Sequence, residues 1–248
     1  MSRAKLSFPD AKSFHAIFET ISKLVDEVSI IVARDGFKIV ALDDARVALL
    51  KVNLPPEIFL EYSIEDDHAT MGFGLERVVK ILSRGKKGER LDIDISEEEI
   101  TWTIYSSAIK KFTIRNLEVP QPEIPEGEIE LANRVAMIVE PFRDALKDAE
   151  TVGEAIELDA SNEEVFVIRG VGESLAETKL PRDAPSLIEY EVKEPGKSTY
   201  SIEYLKHVIS LTKIADTIVI EFSPQMPLRL MFKLPGGGDV EYLLAPRP

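Results

Sequence analysis

The chain has 248 residues, 44% hydrophobic and 30% charged, with a formal net charge of −14 and no cysteine. That hydrophobic content excludes a disordered chain, and the length allows one large or two ordinary domains. The absence of cysteine excludes disulfides, thiolate metal sites and cysteine nucleophiles. The three histidines (His15, His68 and His207) have no ligand spacing, so neither metal nor cofactor is expected.

In chain order, Arg3–Phe8 reads as an edge strand with no apolar leader before it. Pro9-Asp10 opens a helix whose apolar face is Phe14, Ile17, Ile21, Leu24 and Val28, at three- and four-residue spacing. Ser29–Ala33 and Phe37–Leu42 are strands around the turn dipeptide Asp35-Gly36. Strands follow at Val47–Leu54, Phe59–Ile64 and Ala69–Phe73. A second helix, Leu75–Ser83, has Leu75, Val78, Val79 and Leu82 as its stripe and stops at the basic loop Gly85–Lys87. Leu91–Ile95, Ile100–Tyr105 and Lys110–Leu117 complete the first half.

Leu117–Ile129, LEVPQPEIPEGEI, interrupts the pattern with three prolines and four glutamates. Proline fixes φ and donates no hydrogen bond, so this run continues neither helix nor sheet and reads as an extended connector. Beyond it the order returns: a strand at Asn133–Val139, then a helix at Pro141–Thr151 with Phe142, Ala145, Leu146 and Ala149 inward. Strands follow at Ala155–Asp159, Val165–Gly170, Leu175–Leu180, Leu187–Val192 and Lys197–Ser201. A helix at Ile202–Ala215 buries Leu205, Val208, Ile209 and Thr212. Strands at Thr217–Phe222, Leu228–Leu234 and Val240–Leu244 finish the pattern.

The halves superimpose at an offset of about 126 residues. LLKVNLP ending at Pro55 matches LAETKLP ending at Pro181, LDIDI (91–95) matches TIVIE (217–221), and FTIRNLEVP ending at Pro120 matches VEYLLAP ending at Pro246. Repetition on this scale is duplication of a domain. Within each half the order helix, strands, helix, strands suggests a further doubling. The fold class is α+β, two domains each with helices on one face of antiparallel sheet.

All four predicted helices carry cations away from their apolar stripes: Lys12 and Lys23; Arg77, Lys80 and Arg84; Arg143 and Lys147, diluted by Asp144 and Asp148; Lys206 and Lys213. Acidic residues gather in loops, as at Glu65-Asp66-Asp67, Glu97-Glu98-Glu99 and Glu163-Glu164. One side of the molecule can therefore be positive although the total is strongly negative. No P-loop, nucleophile elbow or zinc signature occurs. PGGGD (235–239) lies between two strands and reads as a hairpin loop. A binding protein is expected rather than an enzyme. Few amides (four Asn, two Gln) beside many charges resemble thermophile composition.

The segments LDDARVALLKVNLP (42–55), MGFGLERVVKIL (71–82), NLEVPQPEIPE (116–126), YSIEYLKHVISLTK (200–213) and MPLRLMFKLPGGGDVEYLLAP (226–246) resemble the sliding clamps of the archaeal and eukaryotic proliferating cell nuclear antigen type, and the resemblance runs the length of the chain. It implies a DNA polymerase processivity factor without catalytic residues. The fold would be a duplicated clamp domain of four β-α-β-β-β units. An N-terminal domain, 1–116, and a C-terminal domain, 130–248, would be joined by a connecting loop, 117–129. Three chains would close head to tail into a ring, sheets outside and helices lining the inner face. Lys110, Lys111, Phe112 and Ile114 of one chain would meet Leu175, Glu177 and Lys179 of the next.

Double-stranded DNA would be held through phosphates, without base readout, by Lys12, Lys23, Arg77, Lys80, Arg84, Arg143, Lys147, Lys206 and Lys213, with His15 nearby. A pocket of Leu42, Val47, Leu49, Ile124, Pro227, Leu243, Leu244 and Pro246 would receive the glutamine-bearing apolar motif of DNA polymerase, clamp loader, flap endonuclease and DNA ligase. Val47 and Leu49 are also of the type that fills strand cores, whereas Leu243 and Leu244 beside the APRP tail risk exposure without a partner. Eukaryotic members often carry an aromatic residue where Leu243 stands. The same resemblance admits a subunit of a heterotrimeric or checkpoint-type clamp. The expected setting is the cytoplasm beside the chromosome, or the nucleus in a eukaryote.

Overall fold

The computed structural model describes residues 3–124, 127 and 129–247, so Pro125, Glu126 and Glu128 of the connector, Met1 and Ser2, and Pro248 lie outside the described residues. The chain divides into two compact units. Unit 1 is Met1–Asp44, Leu50–Ile124 and Pro235–Val240; unit 2 is Ala45–Leu49, Pro125–Leu234 and Glu241–Pro248.

In chain order the first half runs β1 (Ala4–Phe8), α1 (Ala11–Ile21), β2 (Glu27–Ala33), β3 (Gly36–Leu42), β4 (Ala48–Leu54), a 3-10 turn (Pro56–Ile58), β5 (Glu61–Ile64), β6 (His68–Gly74), α2 (Leu75–Leu82), β7 (Arg90–Ile95), β8 (Glu99–Tyr105) and β9 (Ile109–Arg115). The second runs β10 (Asn133–Ile138), α3 (Val139–Val152), β11 (Gly153–Asn162), β12 (Val165–Gly172), β13 (Leu175–Pro181), β14 (Leu187–Val192), β15 (Lys197–Ser201), α4 (Ile202–Leu205) leading into a 3-10 helix (Lys206–Lys213), β16 (Thr217–Phe222), β17 (Leu228–Lys233) and β18 (Asp239–Leu244).

The duplication is complete at the level of topology. The first half has strand orders β5-β1-β7-β8-β9 and β4-β3-β2-β6; the second has β14-β10-β16-β17-β18 and β13-β12-β11-β15, the same orders with each strand replaced by its counterpart. Four β-α-β-β-β units are present, and β5 and β14 are extra strands, one in each half. The registers described are antiparallel, for example Leu6↔Ile93 and Val135↔Ile220. Alternation then sends Leu91, Ile93 and Ile95 inward and Asp92 and Asp94 outward.

Unit 1 has an aromatic core. Phe14 of α1 meets Phe8 at 4.6 Å and Phe37 at 5.5 Å between ring centroids, while Phe18 meets Phe73 at 5.7 Å and Trp102 at 6.0 Å, so one helix fills the space between two sheets. In unit 2, Phe166 of β12 meets Tyr190 of β14 and Phe222 of β16 at 5.9 and 6.2 Å.

Several sequence expectations need correction. The strand at Arg3–Phe8, expected at an edge, becomes β1 and is interior, paired with β5 on one side and β7 on the other. Val28 is buried as the second residue of β2; the helical stripe ends at Ile21, and Leu24 lies in the turn that follows. In α2 the buried residues are Leu75, Val78, Ile81 and Leu82, with Val79 half-exposed. The segment expected as one α-helix at Ile202–Ala215 becomes a 3-10 helix after Leu205. Three residues per turn align Leu205, Val208 and Leu211, which are all fully buried, and Ile209 swings to a half-exposed position. The helix α3 starts at Val139, ahead of Pro141, because a first-turn residue has no intrahelical use for its N–H.

Candidate functional site

Each unit presents a pair of helices with cations on the outward side. In unit 1, α1 and α2 approach so closely that a Cβ on Gly85 would lie 2.5 Å from the Cβ of Ala11. Asp10 ties the two ends together, accepting from Gly88 N at 2.8 Å and Ser13 Oγ at 2.6 Å. Lys12, Lys23, Arg77, Lys80 and Arg84 are all exposed around this pair, and His15 is half-buried. In unit 2, Lys206 of the 3-10 helix reaches Glu150 of α3 at 2.6 Å, and Arg143 donates to Thr212 O at 3.4 Å.

These cations fall into two groups. Lys80 is paired with Glu76 one turn back, Lys147 with Asp144 at 3.1 Å, Lys206 with Glu150, and Arg143 with Glu140 at 3.3 Å. The hydrogen bond from Lys80 holds the Glu76 carboxyl below the usual carboxylate range. Lys12, Lys23, Arg77, Arg84 and Lys213 have no ion pair among the described residues. Exposed pairs are worth little, so the paired lysines remain exchangeable toward a phosphate at a modest cost.

The connector starts as an addition to β6. Leu117 N donates to Gly72 O at 2.8 Å, and Asn116 accepts from Gly72 N while donating to Thr70 O and Ser96 O. Only glycine fits at position 72, because a Cβ there would lie 2.1 Å from Leu117 O. The strand expected at Lys110–Leu117 accordingly ends at Arg115, where the backbone changes partners. Further on, Gln121 Nε2 donates to Ser29 O at 3.1 Å. In unit 2 the arriving chain is held by Arg229 Nη2 donating to Ile129 O at 2.9 Å and by Ala132 N donating to Ser223 Oγ at 2.8 Å.

Of the eight apolar residues grouped by the sequence reading, Leu42 and Ile124 belong to unit 1 and the other six to unit 2. Within unit 2, Ala245 N donates to Val47 O at 2.9 Å, which sets the 45–49 segment beside β18 and the following Pro246. The exposure pattern reverses the expectation for this group. Val47 and Leu49 are half-exposed, whereas Leu244 is 1% exposed and belongs to the core, its alternate Leu243 being the accessible leucine. Strand alternation is the reason: Val240, Tyr242 and Leu244 share the inward face of β18. Leu42, Ile124, Pro227 and Pro246 are half-buried.

β9 and β13 are the outer strands of their sheets. On β9 Lys111 is exposed while Lys110, Phe112 and Ile114 are half-buried; on β13 Leu175, Glu177 and Lys179 are exposed. Ile109 and Leu175 are large apolar side chains at 70% and 63% exposure on these edges.

Two ion networks are not visible in the sequence. Arg169 of β12 donates to Asp159 at 2.6 Å, Glu157 at 2.7 Å and Glu177 at 2.7 Å, and Lys197 joins Glu157 and Asp159 at 3.3 Å. Burial pushes the Asp159 carboxyl up, but the hydrogen bonds from Arg169, Ser161 and Lys197 outweigh it and bring the pKa down to about 2. Arg134 bridges Glu189 and Glu221, and Arg229 meets Glu221 at 2.9 Å. The only trace in the sequence is charge at every second position of strands; register is needed to see the partners.

Among the described residues no cluster of carboxylates and histidines is able to hold a metal ion. PGGGD forms the β17–β18 hairpin loop, with Gly236 and Gly237 at φ of 92° and 110°.

Residues 2–120 match the family model for the proliferating cell nuclear antigen N-terminal domain, and residues 123–247 match the one for its C-terminal domain. The DNA polymerase sliding clamp 1 of Aeropyrum pernix is 34% identical over 242 residues, 96% of this chain and 97% of the relative. The DNA polymerase sliding clamp of Pyrococcus furiosus is 33% identical over 245 residues, 98% of each. Among solved structures, a PCNA2–PCNA3 complex from Sulfolobus tokodaii matches with TM-score 0.91 at 26% identity, over 98% of this chain and 99% of that one. PCNA from Thermococcus kodakaraensis matches with TM-score 0.89 at 27% identity, over 98% and 100%.

Proposed function

The chain belongs to the proliferating cell nuclear antigen family and is a DNA polymerase sliding clamp, a non-enzymatic processivity factor; from that premise we propose that it works as one third of a closed ring around duplex DNA. The observation that carries this reading is the fate of duplicated edges. β18 and the start of β4 lie together, as the Ala245–Val47 hydrogen bond records. Their counterparts in the other halves are β9 and β13, and these two are outer strands. A free donor edge and a free acceptor edge copied from a seam that is already paired make a heterologous, head-to-tail contact, and such a contact closes into a ring when its rotation is right.

In that ring the cationic helix faces meet DNA phosphates. Lys12, Lys23, Arg77, Lys80, Arg84, Arg143, Lys147, Lys206 and Lys213 hold the duplex by charge alone, which is sequence-blind and permits sliding. Leu42, Val47, Leu49, Ile124, Pro227, Leu243 and Pro246 take the apolar anchors of client peptides from polymerase, clamp loader, flap endonuclease and ligase, and Leu244 backs them from the core of β18. The working division of the chain is a first clamp domain at 1–116, the connecting loop 117–129 and a second clamp domain at 130–248. The place of action is the cytoplasm beside the chromosome.

A second reading is favoured by one comparison, since the Sulfolobus tokodaii structure is a complex of two different clamps. In that reading this chain's β9 and β13 meet paralogues. Light scattering on the purified chain separates the two: a mass near three times 27.7 kDa is expected for the homotrimer. A lone monomer at micromolar concentration overturns it in favour of the mixed ring.

A further inference from the structure

We propose that Arg229 is a positioning residue for client docking: it fixes the connector where it arrives at Ile129, so that this end is in place before a client arrives. This rests on the reading of the connector as a border of the client pocket.

The connector is tied down at each end by a side chain holding a backbone carbonyl. Gln121 holds Ser29 O in unit 1, and Arg229 holds Ile129 O in unit 2. The two anchors are unequal. Gln121 is an exposed neutral amide, one bond at 3.1 Å. Arg229 is 21% exposed, and its charge is set in a row that runs across neighbouring strands of one sheet face. Glu189 of β14, Arg134 of β10, Glu221 of β16 and Arg229 of β17 alternate in sign and touch in sequence. Arg134↔Glu221 and Glu221↔Arg229 are directly opposed in register. The row ends on the connector backbone.

The chemistry of the guanidinium fits this task. Nη1 bonds Glu221 at 2.9 Å while Nη2 reaches Ile129 O at 2.9 Å, so one planar fork joins the sheet to the arriving chain. Its Nε is buried with no hydrogen-bond partner among the described residues. The side chain is therefore not arranged to satisfy itself; it is held in a pose that serves two of its three nitrogens. A lysine keeps the charge opposite Glu221 but lacks the fork.

Preordering matters because a segment that orders only on binding loses affinity to that ordering. The consequence is read with a fluorescent synthetic peptide carrying a glutamine followed by apolar and aromatic anchors, titrated into the assembled clamp. Three forms are compared: the unsubstituted chain, Arg229→Lys, and Ile124→Ser as a control on the pocket itself. Cleavage of the connector by a glutamate-specific protease, at Glu123 or Glu130, is timed in parallel. Arg229→Lys is expected to weaken the peptide about three- to tenfold and to speed cleavage by a similar factor, with unchanged assembly mass. If Ile124→Ser weakens the peptide but Arg229→Lys changes neither affinity nor cleavage, the positioning role is overturned and the pocket stands. Faster cleavage with unchanged affinity overturns it equally. If Ile124→Ser has no effect, the pocket reading itself falls and this inference falls with it. Hydrogen exchange on the unsubstituted chain needs no variant: residues 129–132 should gain little protection when the peptide binds, and a large gain shows that the segment orders only on docking.

Discussion

Arg169 Nε lies 2.7 Å from Glu177 Oε2, which adds a charged link between the outer strand β13 and the interior strand β12 to their antiparallel ladder. The same guanidinium binds Glu157 and Asp159 of β11, so three strands share one cation. The edge that we assign to the subunit contact is therefore strengthened by ionised carboxylates, in addition to its backbone ladder.

Acid should loosen that edge. Asp159 titrates at about 2 in the folded chain, below its ordinary value, and Glu177 is likewise lowered by its hydrogen bonds from Lys179 and Arg169. A depressed carboxylate stabilises fully above its unfolded pKa and loses that contribution as pH falls toward the folded value. The thermal midpoint should thus fall between about pH 5 and pH 2, with Asp159 accounting for on the order of 2 kcal/mol. Arg169→Met should lower the midpoint strongly at pH 7, because removing one member of a buried ion group costs about 3–5 kcal/mol, and much less at pH 3. Calorimetry across pH checks both; an equal loss at the two pH values contradicts the assignment.

Glu76 restrains Lys80, so removing it should strengthen DNA retention. Glu76→Gln frees a cation for phosphate, and the salt dependence of clamp residence on a nicked circle should steepen by about one unit in log–log slope. Lys213→Ala, which removes a cation without an ion pair, should flatten it by about the same amount. Lys80→Ala should have the smaller effect of the two lysine substitutions. Fluorescence anisotropy over a salt series reads all three.

Leu243 and Leu244 should separate cleanly. Leu243→Ser, like Ile124→Ser, should weaken a client peptide by roughly 1–3 kcal/mol with little change in melting. Leu244→Ala removes a side chain from the core of β18 and should cost about 2–5 kcal/mol of stability instead. Isothermal titration and thermal melts on the same preparations distinguish affinity from stability.

The 3-10 register makes an opposite pair of its own. Leu211→Ala should cost about 2–4 kcal/mol, since its side chain is fully buried, whereas Ile209→Ala should cost less than about 1 kcal/mol. A straight α-helix through this segment predicts the reverse order in urea melts.

Much of the fold was legible because many strands alternate, and a few, such as β4 and β13, stop at proline. The matching proline stops at Pro55 and Pro181 revealed the duplication, and the matched strand orders extend it to every strand. Helix α3 was readable to its inward set of Phe142, Ala145, Leu146 and Ala149. What failed was periodicity at element ends. The spacing of Ile21, Leu24 and Val28 satisfies a helix even though a turn and a strand use the same residues. Nothing in HVISLTK announces a change from 3.6 to 3.0 residues per turn, because that change is imposed by packing. The cationic helix faces were legible as composition, but their pairing was not. Glu76–Lys80 follows from helix geometry, while Glu150–Lys206 joins two helices and required the fold.

The bond between Val47 and Ala245 also sets a timetable. On the ribosome, Val47 is made 198 residues before Ala245. At roughly 5–20 residues per second, the start of β4 waits about 10–40 s for its partner. During that interval the nascent chain displays the same kind of open edge that β13 keeps after synthesis. Two ribosomes on one message bring such edges close together, so premature pairing between unfinished copies is the misassembly this architecture must outrun.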